Sequence, residues 1–522
     1  MANRTLFRSL AGRLVPGANT LNAECAPAYA LSPQHALAQY TATGCLNGTF
    51  YSAAGEDLAR VLGLCREVEP EFIARTAVFC RQQGFMKDMP ALLAAVLASR
   101  DVALLDRVFD RVIDTGKMLR NFVQIVRSGV TGRKSLGTAP KRLVRRWLET
   151  RTEEQLFRAS VGQQPSLADV IKMVHPKPVS ATRAAFYGYL LDRGHDAAAL
   201  PWLVNRFEAF KAGHGATVPD VPFSLLTSTP LDRETWTAIA RQAPWQTTRM
   251  NLNTFARHGV FEVEGMAGLV AQRLRDPEAV RRARVFPYQL LSAYRSTDER
   301  VPAQVRDALQ DALELATQNV PAIDGKVYVL PDVSGSMHAP VTGMRRGASS
   351  QVRCVDVAAL VAASILRKNP SAEVLPFANE VVATKLNPRD TVMTNAEKLA
   401  ALPSGGTNCS APLARLNRRR ARGDLVLYVS DNQSWLDAPH LPGWGGSPTE
   451  TMAEWVAFKC RNPRARLVCL DIQPFATTQA VEREDILNIG GFSDPVFSII
   501  AAFARGELTA DHWVGLIEKT EL

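Results

Sequence analysis

Asp332, Ser334 and Ser336 recur at alternate positions of the run Asp332-Val-Ser-Gly-Ser336, and far downstream come Gly405-Gly-Thr407 and Ser430-Asp431. Two aspartates, two serines and a threonine from three separate segments form an oxygen-only donor set, which is what hard divalent cations take. The alternation lets the Ser334 and Ser336 hydroxyls face one point. So few carboxylates leave a cation there electrophilic toward one further carboxylate. One divalent ion is expected, Mg²⁺ by its preference for oxygens and retained waters. A carboxylate-bearing protein is the expected occupant of the open position.

The flanking sequence predicts where these residues sit. Residues 326–330 form an apolar, β-branched and aromatic run typical of a buried parallel strand. An apolar helix is expected over 354–366 and a second strand over 425–430. The Asp332 loop therefore opens at the carboxyl end of a strand, where open α/β sheets place ligands. The plainer alternative is that these serines and aspartates only cap helices. No Gly-x-Ser-x-Gly elbow surrounds them and no second aspartate follows Asp332 by two residues, which disfavours acyl or phosphoryl transfer. The order Asp-x-Ser-x-Ser, Thr, Asp resembles the metal-ion-dependent adhesion site of von Willebrand factor A domains.

At 522 residues, with 46% hydrophobic and 21% charged residues, the chain suits a globular protein of two or more domains. No apolar run reaches the roughly 18 residues of a membrane span. Arginines interrupt the N-terminal apolar residues, so no secretion signal is read there. Eight cysteines without a Cys-x-x-Cys pair are expected to be reduced thiols of a cytoplasmic protein.

Charge is distributed unevenly. Of 61 Lys and Arg residues, 40 lie in residues 1–320, against 30 of the 51 Asp and Glu residues; 321–522 holds 21 of each. Within the first part Lys117, Arg120, Arg127, Arg133, Lys134, Lys141, Arg142, Arg145 and Arg146 follow one another with no acidic residue between them. Solvated helix faces normally mix signs, so this stripe is read as a footprint for a polyanion. The apolar face of the 117–127 segment is needed for its own core, which favours nucleic acid over a membrane surface.

Apolar residues at three- and four-residue spacing predict helices over 55–67, 71–83, 91–99, 103–115, 117–127, 140–149, 181–192, 199–212, 232–240 and 301–316. The first 320 residues are accordingly expected to be helical throughout, as stacked pairs of HEAT type or as an irregular bundle. The segments 37–51, 129–147 and 165–178, the last ending in His175-Pro-Lys-Pro178, resemble the TROVE module. A TROVE module before an A domain is the architecture of the Ro 60 kDa autoantigen family and its bacterial members.

That resemblance implies a mainly α plus α/β protein: an α-helical HEAT-like ring over 1–320, then a von Willebrand factor A-type domain over 321–522. It implies Y-type small noncoding RNA on the outer surface and single-stranded 3′ ends of misfolded RNAs in a basic central hole. It also implies work alongside a 3′-exonuclease, polynucleotide phosphorylase. His175 and Arg158 carry over as RNA contacts, with Lys172 and Lys177 beside His175; Gly162 stands where the family has another basic residue. Without the resemblance, a histidine before a proline at a helix end reads as a cap or core residue. The knot of Arg281, Arg282 and Arg284 lies beside Asp276 and Glu278 and reads equally as an ordinary helix face. The expected activity is RNA quality control by binding, not catalysis, with phosphate contacts supplying affinity that falls with salt. The alternative is a metal-dependent protein-interaction scaffold in which the A domain is the functional part; a metal-dependent nuclease is disfavoured by the small number of carboxylates.

Overall fold

The computed structural model describes residues 15–43, 51–213, 217–228, 230–285, 287–344, 352–436, 447–473, 475–492, 494–508 and 511–522. They form two compact units. One comprises the described residues of Met1–Val68, Arg284–Arg295 and Gln310–Lys519; the other comprises those of Glu69–Ala283, Ser296–Leu309 and Thr520–Leu522. No described helix is long and apolar enough to cross a membrane.

The strands in chain order are β1 (Thr20–Leu21), β2 (Pro27–Ala30), β3 (Val327–Pro331), β4 (Glu373–Val374), β5 (Leu425–Ser430), β6 (Arg466–Asp471), β7 (Thr477–Thr478) and β8 (Ile486–Gly490). In the first unit a parallel sheet has the order β4-β3-β5-β6-β8. Every residue of β3, β5 and β8 is buried, as expected of strands covered on both faces. Tyr328, Leu330, Val426, Tyr428, Trp455, Phe458 and Leu467 form part of the core on one face. The helix Cys354–Lys368 is buried from Cys354 through Leu366. The α/β architecture expected downstream is observed, with β3 one residue out of step with the predicted strand and β5 coinciding with it.

The expectation of helix throughout the first 320 residues is corrected at the N-terminus. There β1 and β2 pair as an antiparallel hairpin, and β2 pairs with β7. Within the first compact unit the N-terminal segment packs on the α/β domain. Ala18 N–H donates to the Ser447 carbonyl at 2.8 Å, and Gln39 Nε2 donates to Asp471 Oδ2 at 3.0 Å from the helix Pro33–Thr43.

The second unit is built from helices, including Pro70–Gln82, Asp88–Arg100, Val102–Val112, Gly116–Arg127, Thr138–Glu149, Glu153–Ala159 and Leu167–Val174. The helix Gly116–Arg127 buries Met118, Leu119, Phe122, Val123 and Val126, a stripe at helical spacing that packs on Asp88–Arg100 and Leu167–Val174. Ser166 caps the last of these. Its hydroxyl accepts from Asp169 N–H at 3.1 Å, and its own N–H donates to Asp169 Oδ2 at 2.9 Å, a reciprocal capping box.

Candidate functional site

Three loops at the carboxyl ends of β3 and β5 bring the oxygen donors together. The Asp332 N–H donates to the Val429 carbonyl at 2.9 Å, continuing the β3–β5 ladder until Asp332 and Asp431 lie on neighbouring loops. Gly335 N–H donates to the Gly405 carbonyl at 2.8 Å, and Trp435 N–H to the Thr407 carbonyl at 3.1 Å, so backbone bonds tie the third loop to the other two. Asp332, Ser334, Ser336, Thr407 and Asp431 are all buried. The Ser334 and Ser336 hydroxyl oxygens are 3.3 Å apart, as the alternation required. Asp332 Oδ1 accepts from Ser334 N–H at 2.8 Å, and its Oδ2 accepts from the Ser430 hydroxyl at 2.5 Å.

These residues fit a cation on charge as well as on donor type. No ion pair from Lys or Arg to Asp332 or Asp431 exists among the described residues. Burial, and then the neighbouring Asp431, push the Asp332 carboxyl up to about 7; burial raises Asp431 too. Two buried carboxylates facing each other without a compensating charge form a site whose ionised state needs a positive ion.

Several residues at this site gave no signal in the sequence. Gln433 and Ser434 extend the Asp431 loop, with Gln433 N–H donating to Asp431 Oδ1 at 3.2 Å. Tyr51 brings its phenol into hydrogen-bonding reach of Ser336 and of Glu24, and burial first, then Asp431, raises its pKa well above the usual phenol range. Tyr51 closes the segment 37–51 read as a family signature, of which residues 44–50 lie outside the described residues. Nothing in that segment marked it as a neighbour of the Asp332 and Asp431 loops.

The basic stripe separates into cations with internal partners and cations without them. Arg120 is buried, and its Nη1 donates to the Ala159 carbonyl at 2.7 Å; burial lowers its pKa. Gly162 lies beside it at φ +111°, and a Cβ there would run into the Arg120 guanidinium. Arg133 bonds the Ala98 carbonyl and Arg145 the Val174 carbonyl. Arg142 pairs with Asp106 at 2.9 Å, while Arg146 pairs with Asp106 and, at 2.9 Å, with Asp110. The inference from a stripe lacking carboxylates is thereby corrected: the carboxylates arrive from the helix Val102–Val112, which packs against Thr138–Glu149. Arg158 pairs with Asp220 at 2.8 Å.

The side chains of Lys117, Arg127, Lys134, Lys141, Lys172 and Lys177 make no hydrogen bond or ion pair to a described residue. All are exposed except the half-buried Lys141. Arg127 and Lys172 line an open basin of about 580 Å³ together with Gln124, Ser128, Gln164, Pro165, Asp169 and Met173. Asp169 is held below the usual carboxylate range mainly by its bonds to Ser166, with Lys172 and Arg127 adding to the effect. His175 is exposed at φ +49°, and its N–H closes the helix on the Ile171 carbonyl at 2.9 Å, so its backbone performs the capping.

Residues 326–504 match the family model described as the Ro60 vWA domain, and residues 226–318 match the TROVE domain. The chain is similar to the RNA-binding protein RO60 of Deinococcus radiodurans, at 26% identity over 92% of this chain and 94% of that one. It is also similar to the RNA-binding protein RO60 of Caenorhabditis elegans, at 23% identity over 46% of this chain and 37% of that one. The fold matches the crystal structure of the Deinococcus radiodurans RO (RSR) protein with a TM-score of 0.62 and 22% identity, covering 91% of this chain and all of that one.

Proposed function

Because this chain belongs to the TROVE-module Ro 60 kDa family, we propose that it binds structured noncoding RNA through the exposed cations of its helical unit, without chemistry of its own. The observation that carries this reading is the basin between Arg127 and Lys172, whose side chains make no hydrogen bond or close ion pair and share only the longer-range pull of Asp169, and whose walls supply the polar groups of Gln124, Ser128 and Gln164. Unpaired, solvated cations release counterions from a phosphate chain without first breaking an ion pair. In the full reading a Y-type RNA lies on an outer surface, with His175, Lys172 and Lys177 among its contacts. Single-stranded 3′ ends of misfolded RNAs enter a basic hole and pass to a 3′-exonuclease in the cytoplasm. Salt-dependent titration of one hairpin RNA with and without a single-stranded 3′ tail tests it. Tighter binding of the tailed RNA, with a falling log K against log salt, is expected; equal affinity with no salt slope refutes it.

The pairing pattern has a consequence that can be measured. Asp106→Asn releases Arg142 and Arg146 from one shared partner, at a stability cost of about 1 kcal/mol or less because the pairs are partly exposed. RNA affinity at low salt is expected to rise several-fold, with a steeper salt slope, in a filter-binding assay.

In the α/β unit the proposed cofactor is one Mg²⁺, held by Asp332, Ser334, Ser336, Thr407 and Asp431, which would supply charge for carboxylate docking. Protons compete with the ion for Asp332. Affinity for Mg²⁺ is therefore expected to climb as pH rises through about 7 and to level off above it, by isothermal titration calorimetry. The metal-free protein should behave oppositely. A carboxyl whose folded pKa is raised keeps its stabilising proton at low pH and loses that contribution as pH rises through about 7.

A further inference from the structure

Another concavity of the helical unit lies beside Arg158. Val218, Val221, Leu226, Ile239 and Ala243, all buried, form its floor, and its volume is about 150 Å³. Pro219, Pro222 and Pro244 also line it. A proline has no N–H, so these stretches of chain border an apolar hollow without leaving a backbone donor unsolvated. The turns are fixed locally. Val221 N–H donates to the Pro219 carbonyl at 2.9 Å, and Leu225 N–H to the Pro222 carbonyl at 2.8 Å. Pro244 stops the helix Arg233–Gln242, which Ala243 N–H closes on the Ile239 carbonyl at 2.8 Å, and so leaves Gln242 at the rim.

The rim differs from the floor. Gln242 is exposed and Thr247 half-buried, and their side chains make no hydrogen bond to a described residue. An amide and a hydroxyl thus offer donors and acceptors above apolar groups. Phe223, half-buried, supplies an aromatic wall, its ring steadied by Trp236 at 5.8 Å. The Arg158 guanidinium completes the rim, held by Asp220 through hydrogen bonds of 2.8 and 3.3 Å, and the Asp220 side chain is 87% exposed.

Size and chemistry select the occupant. Drug-sized ligands take pockets of about 300–1,000 Å³, so this hollow has room for one ring system. A planar heterocycle would lie on the apolar floor against Phe223, meet an amide and a hydroxyl at its polar edge, and find a cation for an attached phosphate. An apolar side chain of a protein partner would leave all three polar groups unused.

We propose that this hollow takes one unpaired nucleobase of a bound RNA, with its edge on Gln242 and Thr247 and its phosphate drawing Arg158 away from Asp220. This rests on the RNA reading above and deepens it. The solvated cations of the Arg127–Lys172 basin meet phosphates of any sequence, whereas the hollow requires a base freed from pairing.

2-Aminopurine, a fluorescent isomer of adenine whose emission changes on stacking, is the probe. It is used as the free riboside 5′-monophosphate and as the single bulged base of a hairpin RNA. Full-length wild type, Ala243→Leu, Arg158→Ala and Asp220→Asn would be titrated with each, with circular dichroism to check folding. Wild type is expected to bind the monophosphate saturably, and an equal concentration of inorganic phosphate to leave it bound. Ala243→Leu fills the floor and should weaken binding about 10-fold or more, the scale of one lost stacking contact. Arg158→Ala should weaken it several-fold, and Asp220→Asn, by freeing Arg158, should tighten it. In the bulged hairpin the emission change should vanish in Ala243→Leu, while a fully paired hairpin binds that variant as it binds wild type. Should Ala243→Leu misfold, the opposite shifts of the other two variants decide, and no shift in either overturns the proposal. If wild type binds the hairpin with a salt slope but leaves the emission unchanged, or takes benzene and no monophosphate, the base pocket is wrong and the RNA reading stands. If no RNA binds, both fail.

Discussion

The double variant Arg127→Glu with Lys172→Glu is expected to weaken binding of tailed RNA on the order of 100-fold at low salt. Both side chains line the same open basin, and neither makes a hydrogen bond or close ion pair to a described residue, Asp169 acting on them only at longer range. Each neutralised phosphate on a single strand contributes about 0.7 to the slope of log K against log salt, so loss of two such contacts flattens it by about 1.4. Reversal adds repulsion from two new carboxylates beside Asp169. The control is Arg142→Ala with Arg146→Ala, whose guanidiniums already face Asp106 and Asp110. That pair is expected to change affinity by less than about 5-fold. Fluorescence anisotropy over a salt series reads both, and equal losses in the two variants would remove the distinction between paired and unpaired cations.

Asp332→Asn is expected to reduce divalent-ion affinity on the order of 100-fold or more, since loss of a supporting residue outside the ligand set alone typically costs 10- to 100-fold. The amide keeps the carboxylate's shape, its oxygen still accepting from Ser334 N–H while its NH2 would donate to the Ser430 hydroxyl oxygen, which limits collapse of the loops. RNA affinity should stay within about 2-fold of wild type, because the unpaired cations belong to the helical unit. Calorimetry with Mg²⁺ and anisotropy with RNA on one preparation separate the two effects. A parallel loss of RNA binding would favour the reading in which the α/β domain is the functional part.

How much of this was legible depended on whether the controlling contacts were local. The Asp332 loop declared itself because three donors fall within five residues after a strand buried on both faces. Strand β5 and the helix beginning at Cys354 were similarly plain, each being a continuous apolar run. The helix Gly116–Arg127 followed from its apolar stripe, and the burial of Arg120 follows from its place beside Leu119 and Val123 on that stripe. The N-terminal hairpin left no such trace. Its strands are two and four residues long, and one of them pairs with β7 some 450 residues away. The seating of Asn22 and Ala23 on Ser434 and Gln433 likewise joins positions about 410 residues apart, which no local pattern announces. For the same reason the nine basic residues from Lys117 to Arg146 looked uniformly available, whereas helix packing supplies Asp106 and Asp110 to two of them.

On the proposed function, RNA is held by the exposed cations of the helical unit and not at the proposed cation site of the α/β domain. Photocrosslinking of a hairpin RNA carrying a 4-thiouridine-labelled single-stranded 3′ tail to the full-length protein, followed by mass spectrometry, tests it directly. Adducts on peptides spanning residues 117–177, present with or without Mg²⁺, are the expected result. Adducts confined to residues 326–504, or lost when Mg²⁺ is removed, would contradict it.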